Sequence, residues 1–202
     1  IKKLTDPQQI ASAQRLILSV YCNELNWHPK PDNPSNLTIE NDRLIDDYDR
    51  DSLSIWYGAF DQEKDSASIV AAGRVLHPDK NGLLELARYN IPSGLKQALK
   101  KNSRIVEINR SAVKKEYRQS NIWASLLHAG FKYGFQQEFD IMASTAIKKV
   151  QAMHQAIGFP STSYTVNYDN SDKIKSQVYW AKYEDLEGVI KKLEEIKLKN
   201  LP

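Results

Sequence analysis

The sequence predicts a mixed α/β fold, a central and partly antiparallel sheet flanked by helices. Three observations carry that expectation. Apolar runs of strand length alternate with longer runs at helical spacing. Two of the strand-like runs, 53–60 and 67–76, are separated only by the polar stretch 61–66, a hairpin distance, whereas later strands are separated by whole helices. The run from Arg104 to Val113 reads as a strand but carries charges where a core strand should not. Strict alternation puts Ile105, Glu107, Asn109, Ser111 and Val113 on one face and Val106, Ile108, Arg110 and Ala112 on the other. Both faces are then part polar, as expected of a strand inside a domain with one face opening onto a polar cleft.

The elements follow in order. Asp6-Pro7 is a helix start, Asp as the N-cap and Pro at the first helical position. Ile10, Leu16, Ile17, Val20, Tyr21 and Leu25 recur at helical spacing, so this helix runs to about Leu25. The loop 27–34 contains Pro29, Pro31 and Pro34, which exclude helix and central strand. Residues 37–50 are acidic, with Glu40, Asp42, Asp46, Asp47 and Asp49. The two strands of the hairpin come next, then a turn at 77–82 and a short helix over 91–101 before the charged strand. A helix is predicted over 119–139, a short strand over 140–144 and a helix over 147–157 that ends at Gly158, a natural C′ residue. An antiparallel pair at 163–168 and 177–183 precedes a charged closing helix at 184–199.

At 202 residues the chain is expected to form a single domain with a full core. With 41% hydrophobic and 26% charged residues it has the composition of a globular protein. No apolar run approaches a membrane span and no secretory leader is visible. The lone Cys22 has no internal partner for a disulfide, which fits a reducing, cytoplasmic setting. A net charge of +3 is too mild to argue for nucleic acid, and no aromatics interleave with the basic residues as single-strand binding requires. Lys96, Lys100, Lys101, Arg104, Lys114, Lys115 and Arg118 bracket the charged strand; they form either a solvated rim or a docking patch for an acidic partner or a phosphate-bearing group. Neither a metal-ligand pattern nor a phosphate-binding loop or nucleophile elbow is present.

Arg74 and Arg110 sit among apolar strand neighbours, so each is expected to have a carboxylate partner, with Glu40, Asp42 and Asp46 as candidates. The outcome is either a structural ion-pair network or a polar cleft for a substrate. Glu107 is the only carboxylate of its strand; if its face lines a cleft, burial raises its pKa and makes it a candidate general base, the plainer alternative being a salt bridge to Arg74 or Arg110. The helix that follows begins around Arg118, Gln119, Ser120, Asn121 and Ile122, and its free N–H groups suit a phosphate.

The strand-to-helix unit, the later helix ending in Gly158-Phe159 and the final antiparallel pair together resemble the GNAT N-acyltransferase fold, a three-layer arrangement around a twisted sheet. Within it the chain looks like the acyl-homoserine lactone synthases and the related N-acyl amino acid synthases. Tyr21 and Trp27 fit an aromatic pair after the first helix; Glu40-Asn41-Asp42, with Asp46 or Asp49 beyond, fits an acidic segment. Gly73-Arg74-Val75-Leu76-His77-Pro78 fits a strand end that carries an essential Arg, and Glu107-Ile108-Asn109-Arg110 fits the motif E-[LI]-S-R, with Asn109 in the place of Ser.

The resemblance implies an enzyme that moves an acyl group, expected to be long-chain, from an acyl carrier protein or coenzyme A thioester to the amine of an amino acid or similar small molecule, with no permanently bound cofactor. S-adenosylmethionine as acceptor, giving a lactone, is one alternative, and an acyl-binding domain without turnover is another. Glu107 would be the base. Trp27, Asp42, Asp46, Arg74, Asn109 and Arg110 would shape the amine pocket, and His154 would protonate the departing thiolate unless it is a helix-surface residue. Val113, Arg118, Gln119, Ser120, Asn121 and Ile122 would hold the donor's pyrophosphate, although Asn121 and Trp123 replace small residues of the usual pattern. An acyl carrier protein would dock on the Lys/Arg rim, and Phe131, Phe135, Phe139, Ile141 and Met142 would line an acyl tunnel or serve as ordinary core.

Overall fold

A computed structural model describes residues 1–61, 68–168 and 175–198 of the chain. After β1 (Lys2–Lys3), helix α1 (Pro7–Leu18) starts as the sequence predicts: the Asp6 carboxylate accepts the Gln8 N–H at 2.8 Å, and Pro7 fills the first helical position. It continues without a break into a π-helical segment, Ser19–Glu24, a rare geometry that often marks a functional site. The acidic segment folds into a small hairpin, β2 (Thr38–Glu40) and β3 (Arg43–Ile45), and one helical turn, α2 (Asp47–Arg50). Asn41 and Asp42, both at positive φ, form its two-residue turn. The hairpin strands β4 (Ser54–Phe60) and β5 (Ile69–Leu76) follow. The connection expected over 61–66 lies outside the described residues except for Asp61, as does residue 67 of the expected strand.

Next come a single helical turn α3 (Glu85–Arg88), which sequence periodicity is too short to reveal, α4 (Ser93–Lys100) and the charged strand β6 (Ile105–Val113). Helix α5 (Ile122–Gln136), β7 (Asp140–Thr145), α6 (Lys148–Ala156), β8 (Ser161–Val166), β9 (Ser176–Ala181) and α7 (Leu186–Leu198) complete the chain. The closing helix is shorter than 184–199, because a 3₁₀ turn takes Tyr183–Asp185 and residue 199 lies outside the described residues.

Seven strands form one sheet in the order β1-β4-β5-β6-β7-β9-β8. Only β6 and β7 run parallel, because α5 carries the chain back between them; every other pair is antiparallel. Helices α5 and α7 cover one face and bury Val106, Ile108, Phe131, Ile141 and Leu193 against it. The other face carries α1 at the β4–β5 end, with Leu16 and Ile17 on Trp56 and Ala72. Beside α1 on that face, α3 and α4 seat Leu86 and Leu95 on Leu76, Ile105 and Met142. The mixed α/β architecture expected from the sequence is the one observed.

Two irregularities in β6 place the site. First, Ala72 pairs with Ala112 but Arg74 pairs with Asn109, so Gly73 faces two residues, Arg110 and Ser111. This is a β-bulge, with Arg110 in the left-handed region at φ 50°. It resets the alternation expected for this strand. Arg110 turns to the Glu107–Asn109 side and Ala112 packs under α1, while Ser111 reaches the α5 side, where its hydroxyl approaches Gly73 and Leu126. A Cβ on Gly73 would meet both at 3.0 Å, so a side chain opposite the bulge would have to push the Ser111 hydroxyl and the Leu126 methyl aside. Second, β6 pairs with β7 only over Ile105–Glu107 and Asp140–Met142. Beyond that point β7 stays with β9 and β6 stays with β5, so the two strands part and leave a wedge inside the sheet.

Candidate active site

Arg74 lies at the centre of a buried polar network. Its Nη1 and Nη2 grip the two oxygens of Asp46, each at 2.8 Å. Nη2 also donates to Glu85 at 2.9 Å, Nη1 reaches Asp49 at 3.2 Å and Ser54 at 3.3 Å, and Nε donates to Asn109 Oδ1 at 2.9 Å. All five guanidinium N–H groups are engaged. Arg110 joins from the bulge and donates from Nη2 to Asp46 at 3.1 Å and to Glu85. Burial opposes ionisation of Asp46, but the Arg74 and Arg110 guanidiniums prevail and hold its carboxyl well below the usual range. Removing one member of such a cluster costs about 3–5 kcal/mol, because it strands a buried charge.

Glu107 stands at the edge of this network without a guanidinium of its own. It is 1% exposed. Its Oε2 accepts the Leu86 N–H at 3.1 Å, and its Oε1 accepts from Asn109 Nδ2 at 3.2 Å. Burial, reinforced by the nearby Glu85 carboxylate, pushes its pKa up to about 8. The Asn109 amide has one sensible orientation: its oxygen faces Arg74, and its nitrogen bridges Glu107 and Glu85, the latter at 2.7 Å. Glu107 is also the last β6 residue paired with β7, opposite Met142, so it sits at the apex of the wedge. Among the described residues no group of three or more His, Cys, Asp or Glu is placed to hold a metal ion.

The far end of β6 leads to the α5 N-terminus. Arg118 donates from Nε to the Val113 carbonyl at 2.8 Å and pairs with Glu24 through Nη2; Ser120 Oγ donates to the Tyr117 carbonyl at 2.6 Å; Asn121 Nδ2 donates to Ile196 O of α7 at 2.7 Å. Gln119 is exposed and Ile122 opens the helix. With these side chains tied down, an anion here would be met by main-chain N–H groups of the first turn. Trp123 turns into the core beneath α5.

The sequence and the fold both match known proteins. The sequence profile of the N-acyl amino acid synthase FeeM family matches residues 12–179. The chain belongs to this family. It is an N-acyltransferase of GNAT-like fold. FeeM itself, an N-acyl amino acid synthase from uncultured soil microbes, superposes with a TM-score of 0.64 at 12% identity, over 92% of this chain and 91% of that one. BjaI, a CoA-dependent acyl-homoserine lactone synthase with SAM and isopentyl-CoA, gives a TM-score of 0.62 at 16% identity, over 92% and 82%. A GNAT acetyltransferase of Staphylococcus aureus Mu50 gives 0.52 at 16%, over 90% and 97%. No curated protein sequence matches significantly.

In this family member the structure brings together Glu107, Asn109, Arg110, Arg74 and Asp46, as the resemblance implies. It does not bring in Asp42, which is an exposed turn residue of the β2–β3 hairpin; Glu40 beside it bonds Thr38 and Arg50 instead. Trp27 is 36% exposed and stands edge-on to Tyr21 at 5.9 Å, outside the ion-pair network. Tyr21 is the member of that pair that reaches inward: burial raises its phenol, which lies by the Arg110 guanidinium and the Ser111 backbone.

His154 is neither on the helix surface nor beside Glu107. It is 4% exposed and packs against Phe159 and Tyr179 on the α5 face of the sheet, where burial lowers its pKa to about 4. Neutral down to that pH, it has no ready proton for a thiolate. The five residues expected along an acyl tunnel do not share a surface. Phe131 and Ile141 are core on one face and Met142 on the other, while Phe135 stacks on Tyr183 at the surface and Phe139 meets His77. Glu85, absent from the sequence-based candidates, proves central. Its signal was a single carboxylate between Leu84 and Leu86, both buried.

Proposed function

We propose that this N-acyltransferase joins an acyl group, carried as a thioester on coenzyme A or an acyl carrier protein, to the amine of an amino acid, with Glu107 as the general base. The observation that carries this reading is the position of Glu107 at the apex of the β6–β7 wedge, with a carboxyl whose pKa of about 8 is matched to removing a proton from an ammonium. The thioester arm lies in the wedge along the unpaired edge of β6, where main-chain N–H groups stabilise the oxyanion, and the pantetheine phosphates meet the α5 N-terminus. The acceptor enters as an ammonium and passes its proton to Glu107 through a water. The amine attacks the thioester carbonyl, the C–S bond breaks, and the second proton of the attacking nitrogen passes through solvent to the departing thiolate. The exposed Lys115, just ahead of α5, offers an acidic carrier protein a contact at the end of β6 where the phosphates are placed, whereas Lys96, Lys100 and Lys101 lie at the opposite end of that strand.

The test is mass spectrometry of lipid extracts from an expressing host, followed by turnover of the purified protein with acyl-CoA and acyl-carrier donors. N-acyl amino acids support the reading; homoserine lactones in their place would overturn the assignment of the acceptor. Glu107→Gln is expected to lower turnover by about 10²–10⁴-fold with the fold retained. In the wild type the rate should climb as pH rises through about 8, where Glu107 gives up its proton. Near-normal turnover in the variant would remove Glu107 from the mechanism.

A further inference from the structure

The carboxyl of Glu107 is held from one side by a piece of chain that cannot hold itself. Helix α3 is a single turn of four residues without a side-chain cap, too short to be stable alone. Yet two of its residues enter the site. Glu85 accepts from Arg74, Arg110 and Asn109, and the Leu86 N–H donates to Glu107 Oε2 at 3.1 Å. The Leu86 side chain packs with Leu76 and Met142, the residues that pair with Glu107 across the sheet, and so helps to keep water from its carboxyl. Contacts outside the turn must set where it lies.

Arg88, its last residue, supplies the outer ones. Nη1 donates to Asp47 Oδ2 at 2.9 Å and to the Pro34 carbonyl at 3.3 Å, and Nη2 donates to Asp79 Oδ2 at 2.8 Å. The guanidinium also lies 4.6 Å from the centre of the Tyr48 ring. These partners are themselves anchored. Asp47 follows Asp46, the carboxylate that grips Arg74. Asp79 Oδ1 accepts the Asn81 and Leu83 N–H groups at 2.8 and 3.0 Å, and Tyr48 donates to the Leu83 carbonyl at 2.9 Å. Arg88 thus closes the loop 79–88 on itself and ties it to α2. Serving two carboxylates from two nitrogens of one rigid plane suits a guanidinium and not an ammonium.

Building on the acyl-transfer reading above, we infer that Arg88 is a positioning residue for the base: by tying α3 to Asp47 and Asp79 it fixes how the Leu86 N–H meets Glu107 and how well that carboxyl is closed off from water. It acts without touching Glu107. The groups that face Glu107 are Glu85 of α3, Arg74 of β5, and the Tyr48 and Tyr168 phenols, both kept neutral by burial. Burial raises the pKa of Glu107 more than the Leu86 hydrogen bond lowers it. A loosened turn admits water and removes the larger cause, so the pKa falls even though the hydrogen bond is lost.

The experiment follows kcat/KM against pH with one acyl thioester donor and one amino acid acceptor throughout, in the wild type, Arg88→Gln, Arg88→Lys and Asp47→Asn, with the folded fraction taken from thermal melts. In Arg88→Gln the rate should fall by up to about 10²-fold, the effect of a small misplacement at the reacting centre, and the limb near pH 8 should move to lower pH. Arg88→Lys should move it the same way, because charge alone does not restore both anchors. Asp47→Asn leaves the Asp79 pair in place and should give a smaller shift of the same sign; it decides the matter if Arg88→Gln does not fold. A purely structural role would lower the rate at every pH in step with the folded fraction and leave the limb where it stands in the wild type. That result, or a limb moved upward, would overturn the inference and leave acyl transfer untouched. A wild type without turnover, or Glu107→Gln at the wild-type rate, would overturn the reading on which the inference rests.

Discussion

Asn109 shows how one side chain can serve two opposite charges. Its oxygen satisfies Arg74 Nε and its nitrogen serves Glu85 and Glu107, a division that a hydroxyl in the same place has too few donors to make. The protonation of Glu107 has a consequence for stability as well as for catalysis. Its folded pKa, about 8, lies above its ordinary 4.5, so the folded protein holds a proton that the unfolded chain releases. Stability should fall as pH rises from about 4.5 to about 8, and Glu107→Gln should flatten that slope. Asp46 acts with the opposite sign: its depressed pKa adds stability above its ordinary 3.8 that is lost on acidification, in wild type and variant alike. Denaturant melts carried from well below pH 3.8 up to about 8 check both, and a slope above 4.5 unchanged in the variant would mean that Glu107 is ionised in the folded protein.

The sequence made Glu107, Arg74 and Arg110 visible because a charge in an apolar strand must be accounted for. It misassigned the face of Arg110 because alternation assumes an unbroken strand. Glu85 escaped notice because a single helical turn has no periodicity to read.

Among the elements, α5 is the one whose fit to the sheet is tightest. A Cβ on Gly134 would stand 2.6 Å from Ile141 Cδ1 and 2.7 Å from its Cγ1, and Ile141 is fully buried with no room to withdraw. Helix propensity alone would make Gly134→Ala stabilising by about 1 kcal/mol. Overpacking at this contact should dominate and destabilise the protein by about 1–3 kcal/mol. A thermal or urea melt decides the sign, and a more stable variant would mean that α5 can lift from β7. The acidic segment is the element most easily misread. Asn41-Asp42 at the head of a two-residue hairpin is turn chemistry. A run of carboxylates in sequence looks like a binding motif until the register shows that only Asp46 and Asp49 turn inward to Arg74.

At the scale of the molecule, the helices on both faces and the antiparallel hairpin were legible because they are long and periodic. The divergence of β6 from β7 was not, since each strand looks complete on its own and only their register reveals where pairing stops. That divergence leaves backbone donors and acceptors inside a sheet with no strand to meet them, the condition that elsewhere invites a foreign strand to add. In the proposed reaction the pantetheine arm of the donor, with its row of amides, would take the place of the missing strand. The protein emptied of its acyl donor should thus be the form that self-associates on warming. A non-hydrolysable donor analogue at about a hundred times its Kd should raise its stability by about 2.7 kcal/mol and suppress light scattering together. If scattering persists while the melting temperature rises, the sticky edge lies elsewhere. If both respond, the gap that admits substrate is also the weak point of the folded chain, and occupancy by its own reactant is what keeps it closed to its neighbours.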